Sequence, residues 1–192
     1  MAAAKTGAQR EQVLALLAEV FRRYGFEGAS LARLVQGSGL GKGSLYHFFP
    51  GGKDEMAAAV LARIDDWFRL QVFAPLRDGA CARAGVAAMF DAVEAYFMSG
   101  QKICLVGLFA LGCERDRFAL QVSGYFTEWI AALAAPLRRA GVDPAQAAAL
   151  AEEAVGAIQG ALVLARALAR PEVFGAALRR QRQRLLCFVE AP

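Results

Sequence analysis

Apolar residues recur along the chain at intervals of three and four. Val13, Leu17, Val20, Phe21 and Tyr24 share one helical face, with charged residues opposite. Gly25 closes that helix, and Gly28 follows in the loop. Ser30 is placed to cap a short second helix that turns Leu31, Leu34 and Val35 inward. Gly37, Ser38 and Gly39 interrupt it. A third short helix is predicted from Gly41 or Lys42 to about Phe49, ended by Pro50-Gly51-Gly52. Asp54 and Glu55 then fall in the first turn of a fourth helix, where negative charge suits the dipole. From this helix on the helices lengthen, over about residues 53–73, 82–99, 102–112, 116–139, 144–169 and 171–189. Pro75, Gly100, Gly141 and Pro171 punctuate them. No stretch alternates convincingly with period two. The expected class is all-α: a helix-turn-helix three-helix domain over residues 1–55, then a larger helical domain over residues 56–192.

The chemistry concentrates in Ser30 to Glu55, SLARLVQGSGLGKGSLYHFFPGGKDE. Two short helices joined by a glycine-containing turn make a helix-turn-helix. Leu31, Leu34, Val35, Leu40, Leu45 and Phe49 fix the pair from inside. Lys42, Gly43, Ser44, Tyr46 and His47 are left to face outward from the start and middle of the third helix. Such a helix suits a DNA major groove, because its N–H groups and positive dipole end favour phosphate. Other roles stay open for single residues. By residue type alone His47 reads as a surface histidine; its position outside the inward set, beside Lys42 and Tyr46, favours DNA contact. Phe48 and Phe49 read as core, and Arg22, Arg23 and Arg33 read as phosphate contacts or, equally, as a solvated face.

The run GLGKGSLYHFFPGGK closely resembles the recognition-helix signature of TetR/AcrR-family transcriptional regulators. Its Pro50-Gly51-Gly52-Lys53-Asp54-Glu55 junction looks like the LmrA/YxaF-like branch. The resemblance implies a DNA contact set position by position. Ser30 would cap the second helix and touch a phosphate. Lys42, Tyr46 and His47 would contact phosphates, Gly43 would let the helix approach closely, and Ser44 would reach base edges or a phosphate. Lys53 would pin the backbone. Gly41 stands where the family commonly has Ser or Thr, so a hydroxyl contact is lost there while the cap is kept at a few tenths of a kcal/mol. The partners implied are a double-stranded DNA operator, a small apolar or aromatic effector, and a second copy of the chain. Repression of drug-efflux genes is typical of that branch.

Residues 56–192 carry aromatics at helical spacing, and a packed core explains most of them. The resemblance adds a ligand cavity, for which the candidates are Trp67, Phe68, Phe90, Tyr96, Phe97, Cys104, Phe109, Tyr125, Phe126, Trp129 and Gln159. Gly156-x-x-x-Gly160, set among alanines, gives helix 144–169 a smooth strip. With Val163 and Leu164, and with Phe174, Leu178 and Leu185 on the next helix, it makes the candidate dimer face. Alanine-rich composition explains the small residues equally well.

Composition changes this picture little. The chain has 192 residues, 57% of them hydrophobic and 21% charged, which excludes a disordered chain. The net charge of +4 permits a polyanion partner without demanding one. The longest uncharged stretch, Ala154 to Ala165, is far short of the roughly 20 residues of a spanning helix, so no membrane partner is expected. No export signal is read in the N-terminal residues, and a cytoplasmic protein is expected. Cys81, Cys104, Cys113 and Cys187 lack close pairing and are expected as thiols. A thiol-redox-responsive regulator using Cys104 or Cys113 is the alternative reading. With one histidine, no phosphate-cradling loop and no nucleophile elbow, neither an enzyme, a metal site nor a cofactor is expected.

Overall fold

A computed structural model describes residues 2–189; Met1 and residues 190–192, the outer ends of the two expected domains, lie outside the described residues. The described residues are helical, with no strand among them. Ten α-helices follow in order: α1 Ala2–Gly28, α2 Leu31–Ser38, α3 Lys42–Phe48, α4 Gly52–Phe68, α5 Ala74–Asp78, α6 Ala82–Tyr96, α7 Leu105–Leu111, α8 Ala119–Arg139, α9 Pro144–Ala167 and α10 Glu172–Leu186. Gly25, at φ 67 and ψ 178, kinks α1 where the sequence places its end.

The chain forms two compact units, Met1–Asp65 with Leu105–Val122, and Asp66–Cys104 with Ser123–Pro192. The single boundary expected at residue 55 therefore does not describe the packing. The first unit draws on a later stretch because its own core is unfinished without it. Phe21 and Phe26 stack at 6.1 Å, and Phe109 and Phe118 close over Phe26 at 5.9 and 5.4 Å. Burying four aromatic rings in stacked and edge-to-face contact is a large part of what holds this unit.

The second unit has its own aromatic centre. Phe68 touches Tyr96 at 4.9 Å, Tyr125 at 5.0 Å and Trp129 at 5.2 Å, and Phe97 meets Phe174 at 6.0 Å. Several helix ends differ from expectation for local reasons. Helix 82–99 stops at Tyr96 because Met98, Ser99 and Gly100 all take positive φ. Pro75 ends nothing. It sits in the first turn of α5, where a missing N–H costs least, directly after a π-helical segment, Arg69–Phe73. Helix α9 is apolar and long enough to cross a membrane by length and composition alone. Ala147, Leu150, Ala154, Val155, Ile158 and Leu162 are buried in the fold, which is how a core helix behaves.

Candidate functional site

Helices α2 and α3 are set by short-range chemistry. Ser30 takes extended backbone angles and its Oγ accepts from the Arg33 N–H at 3.4 Å, as the sequence places it. Gly39, at φ 69, ends α2 in the left-handed conformation that favours glycine. Gly37 and Ser38, expected to break the helix, lie inside it and have other work. A Cβ on Gly37 would stand 2.2 Å from Val20 Cγ2, so this glycine permits the close approach of α1 and α2. Ser38 is buried; its hydroxyl donates to Val35 O at 3.1 Å and accepts from the Leu40 N–H at 3.3 Å, fixing the turn. Sequence reasoning missed Ser38, although a serine beside a glycine in a turn is the available signal.

The outward face of α3 is as expected. Leu45 is fully buried and anchors the helix, with Leu34 and Phe49 buried beside it. Leu31, Val35 and Leu40 are half-buried, while Lys42, Gly43, Ser44, Tyr46 and His47 are exposed. Gly41 caps the helix without a side-chain hydrogen bond. A Cβ on Gly41 or Gly43 would meet no atom within 4 Å, so packing requires neither glycine. The N-terminus of α3 therefore presents bare backbone flanked by an ammonium, a hydroxyl, a phenol and an imidazole. This set can bind phosphate oxygens and reach base edges.

Lys53 is placed differently. Its ammonium donates to Phe26 O at 3.1 Å and lies 4.2 Å over the Phe26 ring, so it is already engaged within the unit. Glu55 Oε2 accepts from the Gly51 N–H at 2.6 Å and secures the entry to α4. Arg33 is more than a solvated charge. It stacks 4.2 Å from the Tyr24 ring and donates to Gly28 O at 2.6 Å.

The second unit gathers most of the expected ligand residues. Trp67, Phe68, Tyr96, Phe97, Tyr125, Phe126 and Trp129 form one connected set of rings. Phe90 and Cys104 are buried, and Gln159 is half-buried on α9. Phe109 does not join them, since it packs in the first unit against Phe21, Phe26 and Phe118. Glu128 is committed to Arg69 and Arg77, each at 2.7 Å.

The expected dimer face divides. Gly156, Gly160, Val163 and Leu164 are exposed along α9, and Leu168 follows them at 53% exposure. Phe174, Leu178 and Leu185 are buried within the chain itself, because α10 turns its apolar face onto α9 and α6. These three residues are core and offer no surface to a second copy.

Comparison with known proteins agrees with this geometry. Residues 13–60 match the family model of the bacterial regulatory proteins of the tetR family. Residues 82–180 match that of the C-terminal domain of LmrA/YxaF-like transcriptional regulators. The HTH-type transcriptional regulator LmrA of Bacillus subtilis is 25% identical over 162 residues, covering 82% of this chain and 86% of that protein. A TetR transcriptional regulator from Legionella pneumophila shares the fold at a TM-score of 0.75 and 22% identity, over 90% of this chain and 95% of that one. The TetR-family regulator CifR, a cysteine-substituted form solved with 26-bp double-strand operator DNA, is similar at a TM-score of 0.71 and 27% identity. That match covers 89% of this chain and 94% of CifR. The exposed α3 face and the two family matches converge: the chain belongs to the TetR family of DNA-binding transcriptional regulators, with a C-terminal domain of the LmrA/YxaF-like type.

Proposed function

We propose that the protein is a cytoplasmic homodimeric repressor, bound to a pseudo-palindromic operator and released from it by an apolar or aromatic small molecule. The observation that carries the reading is the α3 face, where one buried leucine anchors a helix whose polar residues all stand in solvent. Ser30 and Lys42 contact phosphates, Ser44 reads base edges, and Tyr46 and His47 contact phosphates, with Tyr46 also meeting a thymine methyl. Gly41 and Gly43 bring backbone N–H groups to the DNA. Lys53 acts on the backbone through the position it gives the start of α4.

A second copy would pack on the exposed strip of α9, where Gly156 and Gly160 allow close helix approach and Val163 and Leu164 add apolar area. A two-fold dimer reads half-sites about 34–36 Å apart, or a multiple of that. An effector bound among the rings of the second unit favours a state that no longer matches this spacing. A ten-fold loss of affinity takes only about 1.4 kcal/mol of coupling.

The test is titration of the protein against DNA from upstream of its own and neighbouring genes, at two salt concentrations. A sequence-dependent, salt-sensitive complex lost in Lys42→Ala supports the reading. A folded protein that binds no DNA at low salt refutes it. The thiol-responsive alternative narrows to one of its two candidates, since Cys113 is exposed and Cys104 is buried.

A further inference from the structure

We infer that Trp129 recognises the effector by donating its indole N–H to an uncharged oxygen acceptor on a flat aromatic molecule. This rests on the effector-responsive reading above and adds the chemistry of the ligand. Trp129 is fully buried, and its Nε1 meets no acceptor among the described residues. Buried donors are nearly always paired, because an unpaired one has lost water and gained nothing. The rings of Phe68 and Tyr125 lie 5.2 and 5.8 Å from the Trp129 ring, and neither face supplies an oxygen in the indole's place. The complement of this surface is an aromatic body with an acceptor at its edge.

Three further observations bear on the sign of that acceptor. A second buried donor without a partner, Gln159 Nε2, belongs to the same unit, so an acceptor oxygen has two donors there to satisfy. The carboxylate beside Trp129 in sequence, Glu128, is held by Arg69 and Arg77 and is not available to a cationic ligand. The Lys102 ammonium, 4.2 Å over the Tyr96 ring, disfavours a cation as well. A carbonyl or ether oxygen satisfies these conditions.

The rings touch one another, so a ligand enters by parting them. Trp67 and Tyr96 are half-buried, 4.5 Å apart, and form the accessible edge. The chain next to them, Arg69–Phe73, is π-helical, a geometry that recurs at functional sites.

The experiment compares fluorene with 9-fluorenone, two planar molecules of one outline that differ by a carbonyl oxygen. Each is titrated into the intact protein and into Trp129→Phe and Trp67→Phe, with quenching of the tryptophan fluorescence that remains as the readout. Circular dichroism checks each fold. Fluorenone is expected to bind the unaltered protein about ten-fold more tightly than fluorene, the scale of one net hydrogen bond. The preference survives in Trp67→Phe and disappears in Trp129→Phe. Equal binding of the two probes by the unaltered protein overturns the inference without any variant being needed, and so does a preference kept in Trp129→Phe. Binding of neither probe overturns both the inference and the aromatic-effector reading. Operator binding by the same sample, measured separately, decides whether the DNA-binding part of that reading stands.

Discussion

Gly37→Ala and Gly43→Ala make the same chemical change in neighbouring helices and should move stability in opposite directions. At Gly37 the added carbon would stand 2.2 Å from Val20 Cγ2, where ordinary carbon contacts lie near 3.5–4.0 Å. Val20 is buried at 7% exposure, and a β-branched residue in a helix has one strongly preferred rotamer, so its methyl has nowhere to swing. Overpacking of this kind costs about 1–3 kcal/mol. Alanine regains about 1 kcal/mol in helix propensity, which leaves a net loss of up to about 2 kcal/mol. At Gly43 no atom lies within 4 Å, so only the propensity gain remains, about 0.5 kcal/mol in a first helical turn. For a chain of this size 1 kcal/mol is about 2–4 °C in Tm. Calorimetry should therefore show Gly37→Ala lower by up to about 8 °C and Gly43→Ala higher by about 1–2 °C. The double variant Gly37→Ala with Val20→Ala should lose less than the sum of the two single losses, as coupling through a shared contact requires. A rise in Tm for Gly37→Ala, or no coupling to Val20, would refute the close-approach argument.

Other outcomes follow from the site. Gly43→Ala, though more stable, should bind operator DNA less tightly, because a methyl group now separates helix and duplex; gel-shift titration reads this directly. Lys42→Ala should weaken binding to all sequences alike and lower the salt slope by about one unit, measured from affinities at several salt concentrations. Ser38→Ala removes both hydrogen bonds of the α2–α3 turn and should cost about 1–3 kcal/mol in a denaturant melt, since the Leu40 N–H loses its acceptor. Oxidant should leave DNA affinity unchanged in the effector-driven regulator. A response abolished by Cys113→Ser would instead establish the thiol alternative.

The parts of this molecule governed by local rules were legible in the sequence. The Ser30 cap, the α3 start at Lys42 and the outward set around Leu45 all follow from neighbours within four residues, where periodicity and capping chemistry act. Four features depended on partners outside their own helical turn. Nothing local to Gly37 announces Val20, so the glycine reads as a helix breaker. Lys53 reads as a free cation until Phe26 is brought beside it. Phe174, Leu178 and Leu185 form an apolar face whose spacing suits a second copy as well as a neighbouring helix. Which of the two it meets is decided by tertiary packing, and α10 lies on α9 and α6. Phe109 was misplaced for the same reason, because its sequence position falls in the expected second domain while its ring belongs with Phe21 and Phe26.

The late stretch Leu105–Val122 has a practical meaning for anyone building chimeric regulators. A DNA-reading head cut after residue 65 would leave behind Phe109 and Phe118, the rings that shield Phe26. Such a fragment would display aromatic surface to water and tend to aggregate. Exchanging specificity between relatives by one crossover would create a mismatched seam against a foreign α7. The transplantable object is a discontinuous one: either both stretches travel together, or the graft is confined to the exposed residues of α3, whose side chains touch little of the fold they ride on.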